Sequence, residues 1–137
     1  MGTIYELDYK FIQFVANKGY CTEIMDKNIN KGRPYFYIEI KVRSKTYLIP
    51  FRSSVGDDGV YKIPGHDGGL DFKKSIPLTN KRIIKRVSNT TPPEYGKFLM
   101  NAYNDICSKF TQYIPTHNKH RFSTNHKGLI EAQNKFK

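Results

Sequence analysis

Two stretches of the chain carry residues whose types and order suit chemistry on a phosphodiester. One is Arg52-Ser53-Ser54, which directly follows the apolar run Tyr47-Leu48-Ile49-Pro50-Phe51. The other is His66-Asp67-Gly68-Gly69-Leu70-Asp71-Phe72-Lys73-Lys74-Ser75, a glycine turn with an apolar-acidic beat and two lysines. Each places a cation and a hydroxyl where a strand is expected to meet a loop, the usual position for functional groups on a rigid scaffold. RNA can be cleaved through its own 2′-OH, so a protein acting this way supplies no nucleophile. It accepts one proton, donates another to the departing 5′ oxygen, and holds the charge that builds on phosphorus. Arg52 suits the last task because its planar fork matches two phosphate oxygens. Ser53 can donate to the same phosphate, His66 can exchange protons near neutral pH, and Lys74 and Arg33 add cations.

Other chemistries find less support. His117 and His120 sit three apart in a basic stretch with no carboxylate or cysteine at ligand spacing, and His126 stands alone, so no metal or other cofactor is expected. Asp57-Asp58 are adjacent loop residues whose side chains diverge. Gly65-His66-Asp67-Gly68-Gly69 lacks the lysine-hydroxyl end of a phosphate-binding loop, and neither a catalytic triad nor a nucleophile elbow is present.

The elements that must position these groups follow from periodicity. Thr3 to Leu7 reads as a strand, and Asp8 caps a helix from Tyr9 to Asn17 with Phe11, Ile12, Phe14 and Val15 inward. Residues 20–33 form a polar loop whose basic tip holds Lys31 and Arg33. Pro34 to Val42 alternates, with Phe36, Ile38, Ile40 and Val42 on one face, and a turn at Arg43-Ser44-Lys45 returns the chain as Thr46 to Phe51 in an antiparallel hairpin. Pro50 predicts an edge position or a strand end. Val60 to Ile63, Leu70 to Ile76 and Arg82 to Val87 read as further strands. Thr91-Pro92-Pro93-Glu94 forms a capped helix start. The helix it opens carries Tyr95, Phe98, Leu99, Ala102, Tyr103, Ile106, Cys107 and Phe110 on a buried stripe and ends before Pro115. A last helix from about Thr124 to Phe136 is expected to bury Leu129, Ile130 and Phe136.

Composition bounds the answer. The 137 residues fit one domain, 1–137, with 38% hydrophobic and 14% aromatic content, enough for a packed core. Against 12 acidic residues stand 23 Lys+Arg, a net charge of +11 that favours a polyanionic partner. Between Phe72 and Pro93 there is no acid, but Lys73, Lys74, Lys81, Arg82, Lys85 and Arg86 are present. All of these but Lys74, which belongs with the catalytic candidates, join Lys31, Arg33, Ser54, Lys119 and Arg121 as the candidate RNA-binding groups. Cys21 and Cys107 lie far apart and point to a reducing compartment, and Cys107, on the helix's buried stripe, reads as a core thiol. No signal peptide or membrane span is expected, and a cytoplasmic location follows.

The frame Arg33-Pro34-Tyr35, then Tyr47-Leu48-Ile49-Pro50-Phe51-Arg52-Ser53, resembles the ToxN/AbiQ-like endoribonuclease toxins of type III toxin–antitoxin systems. Gly69-Leu70-Asp71-Phe72-Lys73-Lys74 with Pro77-Leu78 looks most like the TenpN branch, and Arg121-Phe122 before a final helix fits the same plan. The resemblance implies an α+β fold, a compact twisted antiparallel sheet (a partial, Kid/MazF-like barrel) flanked by helices. It also implies metal-independent cleavage to 2′,3′-cyclic phosphate and 5′-hydroxyl ends. An RNA antitoxin, a repeat-derived pseudoknot, would bind in a closed assembly, and abortive infection in phage defence would be the setting. By this likeness Ser53 matches the active-site serine, Arg52 stands where many relatives have threonine, Arg33 where many have lysine, Lys74 matches the lysine of its segment, and Phe122 an aromatic near RNA. The chain departs from the pattern after Ser53, where Val55-Gly56-Asp57-Asp58 replace a lysine or histidine and leave proton transfer open between His66 and Lys74. Three other readings compete: a non-catalytic RNA-binding module, a DNA-binding regulator, and adhesion to anionic membranes. The chain has no recognition helix after a tight turn and no basic amphipathic helix with a clean apolar face.

Overall fold

The computed structural model describes residues 4–18, 36–52, 56, 59–65, 68–86, 98, 101–114 and 124–136. Within them a seven-stranded antiparallel sheet carries helices on both faces, an α+β architecture. The sheet runs β4 (Val60–Lys62), β5 (Gly69–Asp71), β3 (Lys45–Arg52), β2 (Tyr37–Val42), β1 (Ile4–Leu7) and β7 (Ile84–Arg86), and β6 (Ile76–Leu78) also pairs with β3. It does not close on itself. The helices are α1 (Tyr9–Asn17), α2 (Tyr103–Tyr113) and α3 (His126–Lys135).

Alternation along the strands builds two cores. Leu48 of β3 and Tyr37 of β2 face α1 and α3, where they meet Leu7, Phe11, Val15, Ile83, Leu129 and Ala132. Tyr47, Ile49, Ile38, Ile40 and Val42 face the other way, onto Ile106 and Phe110 of α2. Asp8 caps α1 as expected, accepting from the Lys10 amide at 2.8 Å. The β2–β3 hairpin turns at Arg43-Ser44, and Arg43 takes the left-handed φ of 58° that tight hairpin turns demand.

Several expectations need correction. Pro50 lies in a strand paired on both sides, not at an edge. The Phe51 amide donates to the Phe36 carbonyl on the β2 side, so the proline nitrogen faces the opposite edge. There the ladder is interrupted, and the missing donor leaves no gap. The run Leu70 to Ile76 is likewise not one strand: a 3-10 turn, Phe72–Lys74, separates β5 from β6. Two residues of β3, between Leu48 and Phe51, face five on the other side, between Leu70 and Ile76. In the expected strand Arg82 to Val87, a second 3-10 turn takes Lys81–Ile83 before β7 begins at Ile84.

The last correction concerns the helices. Ile130 is exposed on α3, whose inner face instead buries Gln133. That amide is a staple. Its Oε1 accepts from the Thr79 amide at 2.7 Å and the Asn80 amide at 3.0 Å, and its Nε2 donates to the Pro77 carbonyl at 2.6 Å. Cys107 is half-buried rather than enclosed, and burial pushes its thiol up. The expected helix start at Thr91 and the loops at 20–33 and 117–121 lie outside the described residues.

Candidate functional site

Arg52 closes β3, opposite Gly69 of β5. Side chains two residues apart on one strand share a face, so Asp71, two beyond Gly69, is the diagonal neighbour of Arg52. The carboxylate is buried, and its Oδ2 receives Arg52 Nη1 at 3.0 Å. Its Oδ1 accepts the Lys73 amide at 3.1 Å and lies 3.5 Å from Lys73 Nζ. Asp71 thus caps the 3-10 turn and holds two cations, both about one third exposed. A guanidinium has five N–H donors, and Asp71 is the only described partner of this one, so its remaining edge can meet an anion.

Gly69 is required here. A Cβ on it would stand 2.3 Å from the Tyr61 carbonyl oxygen and 3.1 Å from Lys62 Cα, both backbone atoms of the adjoining strand. Gly69 pairs with Arg52 on one side and Lys62 on the other, so the two basic side chains flank a position with none of its own. Strand β4 is tied to α2 by Tyr61, whose hydroxyl donates to Asp105. Burial, that hydrogen bond and the carboxylate charge raise the phenol to about 12.

The basic stretch that looked continuous in sequence is divided by the sheet. Lys73 and Lys74 stand on the turn beside β3, whereas Lys81, Arg82, Lys85 and Arg86 lie at and before β7, beyond β1. Register brings one of them back to the face of Arg52. Arg86 pairs with Tyr5, Tyr5 with Tyr37, and Tyr37 with Pro50, so Arg86 shares the face carrying α1 and α3. Three strand spacings across and two residues along separate it from Arg52 by about 15 Å. Lys85, opposite Glu6, falls on the other face.

Of the expected catalytic residues, Arg52 closes β3, and Lys74 ends the turn that leads from β5 to β6, the two strands that both pair with β3. The lysine that joins Arg52 through Asp71 is Lys73, whereas Lys74 is half-exposed and makes no ion pair with another described residue. Ser53, Ser54, His66, Lys31, Arg33, Lys119, Arg121 and Phe122 lie outside the described residues. Sequence reasoning assigned Asp71 no role, although an acid between two core residues and two positions before a lysine is a legible turn-capping pattern. It also set His126 aside, and nothing local could have shown that this ring meets the Ser75 carbonyl oxygen at 3.1 Å. No group of three or more His, Cys, Asp or Glu able to hold a metal ion occurs among the described residues. No helix among them is long and apolar enough to cross a membrane. In comparison with known proteins, the chain matches no family model, no curated protein and no solved structure.

Proposed function

We propose that this chain is a metal-independent endoribonuclease toxin of the type III toxin–antitoxin kind, acting in the cytoplasm. The observation that carries the reading is the Arg52–Asp71–Lys73 cluster at the end of β3, immediately before Ser53. A buried carboxylate sets the direction of a guanidinium, and the N–H donors that Asp71 does not take suit a phosphate, on a chain of net charge +11. In the proposed reaction the 2′ oxygen attacks phosphorus as a base removes its proton. The P–O5′ bond breaks as an acid protonates the leaving oxygen, giving a 2′,3′-cyclic phosphate and a 5′-hydroxyl. Arg52 and Ser53 hold the phosphorane charge, and His66 or Lys74 moves the protons. A folded RNA made of repeats, held in a closed protein–RNA assembly, would occupy the same basic surface as inhibitor, with phage defence by abortive infection as the setting.

A second reading is favoured by one specific feature: Arg52 and Lys73 are partly neutralised by Asp71, as suits a surface that holds RNA without cutting it. Digestion of RNA in excess EDTA, with analysis of both new ends, separates the two. Cyclic phosphate and 5′-hydroxyl ends, lost by a factor of about 10² or more in Ser53→Ala and Arg52→Ala, support the enzyme. Salt-sensitive binding without product supports the binding module. A strict magnesium requirement, or 3′-hydroxyl products, rejects the proposed reaction.

A further inference from the structure

The 3-10 turn Phe72–Lys74 leaves the β3 ladder, so strand pairing cannot fix its course. Its entry is held by Asp71 on the Lys73 amide and by the Phe72 amide on the Gly59 carbonyl at 2.9 Å. Its exit is held from far away in sequence. The Ser75 carbonyl, directly after Lys74, accepts Thr124 Oγ1 at 2.5 Å and meets His126 Nε2 at 3.1 Å. Thr124 is buried and precedes the cap of α3, and His126 is the first residue of that helix. A carbonyl oxygen only accepts, so the ring must carry its proton on Nε2. Burial pushes this histidine down to about 4, which leaves one N–H on the ring near neutral pH.

We propose that Thr124 and His126 form a positioning clamp that fixes the end of the lysine-bearing turn and thereby sets Lys73 and Lys74 relative to Arg52. The role given to the turn rests on the endoribonuclease reading, whereas the clamp can be tested without it. The two are positioning residues acting through the Ser75 carbonyl.

Three measurements test the clamp on the full chain. Ring ¹⁵N shifts at pH 7 are expected to show the Nε2–H tautomer in the wild type. Amide exchange at Lys74, Ser75 and Ile76 is expected to accelerate in His126→Leu and Thr124→Val, with β2 and α1 unchanged. His126→Gln, which keeps an N–H donor, is expected to restore protection. With RNA, His126→Leu is expected to lose kcat by about tenfold to a hundredfold through misplacement, with KM nearly constant and rescue by His126→Gln. An Nδ1–H ring, unchanged exchange at the turn, or exchange that rises everywhere would overturn the clamp. If His126→Leu does not fold, the wild-type tautomer and the glutamine variant still decide. If the wild type cuts no RNA, the enzymatic reading fails, and the tautomer and exchange data still judge the clamp.

Discussion

Asp71 sets two quantities that are easily confused, the strength of the positive field at the end of β3 and its direction. Its charge subtracts from the attraction of Arg52 and Lys73 for phosphate, while its two oxygens orient them. Asp71→Asn therefore has opposite effects on binding and chemistry under the proposed function. RNA should bind as tightly or more tightly, while kcat falls and stability drops by about 1–3 kcal/mol. Equilibrium binding, single-turnover cleavage and urea unfolding measure the three separately. A parallel loss of affinity and rate would show that the carboxylate does not orient a phosphate ligand. His126 gives a second residue-scale expectation. Its ring lies near 4 in the fold against 6.5 in the free side chain. The unfolded chain then holds the extra proton between those values. The neutral ring's contribution is complete above the upper value and is lost as pH falls toward the lower, by at most about 3 kcal/mol. The difference in stability between wild type and His126→Gln should narrow across that interval. Gln133→Ala is expected to cost about 2–4 kcal/mol, because it strands the Thr79 and Asn80 amides and the Pro77 carbonyl together.

At the scale of elements, the join between β4 and β5 is the least tolerant place in the sheet. Gly69→Ala pushes a methyl into strand backbone on the β4 side, not into a movable side chain, and should cost about 1–3 kcal/mol. Gly56→Ala, with nothing near its Cβ, is the matched control in a denaturation series. The periodic elements were legible in sequence because local pattern and tertiary burial agree. The capped helix α1 and the β2–β3 hairpin stand close to where alternation and turn chemistry place them. The run Leu70 to Ile76 misled because its apolar alternation is real. Leu70 and Phe72 enter the α2-side core and Ile76 the other, and the turn between them is fixed by Asp71 and Ser75. Pro50 misled for a related reason. Its missing N–H excludes one ladder bond, and that bond falls where the neighbouring chain has already left. In the candidate site, Arg52 was legible from its place after an apolar strand. Which of Lys73 and Lys74 joins Arg52 through Asp71 was not, because that depends on the phase of a 3-10 turn.

For the molecule as a whole, net charge of +11 predicts attraction to any polyanion, and the fold predicts which cations share it. Arg86 lies on the face of Arg52, whereas its neighbour Lys85 lies on the α2 face. Tyr37, between Arg52 and Arg86 on that face, is fully buried under α1 and α3. An RNA strand joining Arg52 to Arg86 would therefore run along the end of the sheet where both lie, meeting Arg86 and missing Lys85. Each lost phosphate contact lowers the slope of log affinity against log salt by roughly 0.7 for a single strand. Arg86→Ala should therefore reduce that slope by about one contact, whereas Lys85→Ala, an equal change in net charge, should leave it nearly unaltered. Both variants should retain kcat, since neither cation adjoins Arg52. A short single-stranded RNA titrated at several salt concentrations supplies the slopes. Equal slopes for the two variants would mean that net charge alone governs binding. A loss confined to Lys85→Ala would place the RNA on the face covered by α2, away from Arg52, Asp71 and Lys73.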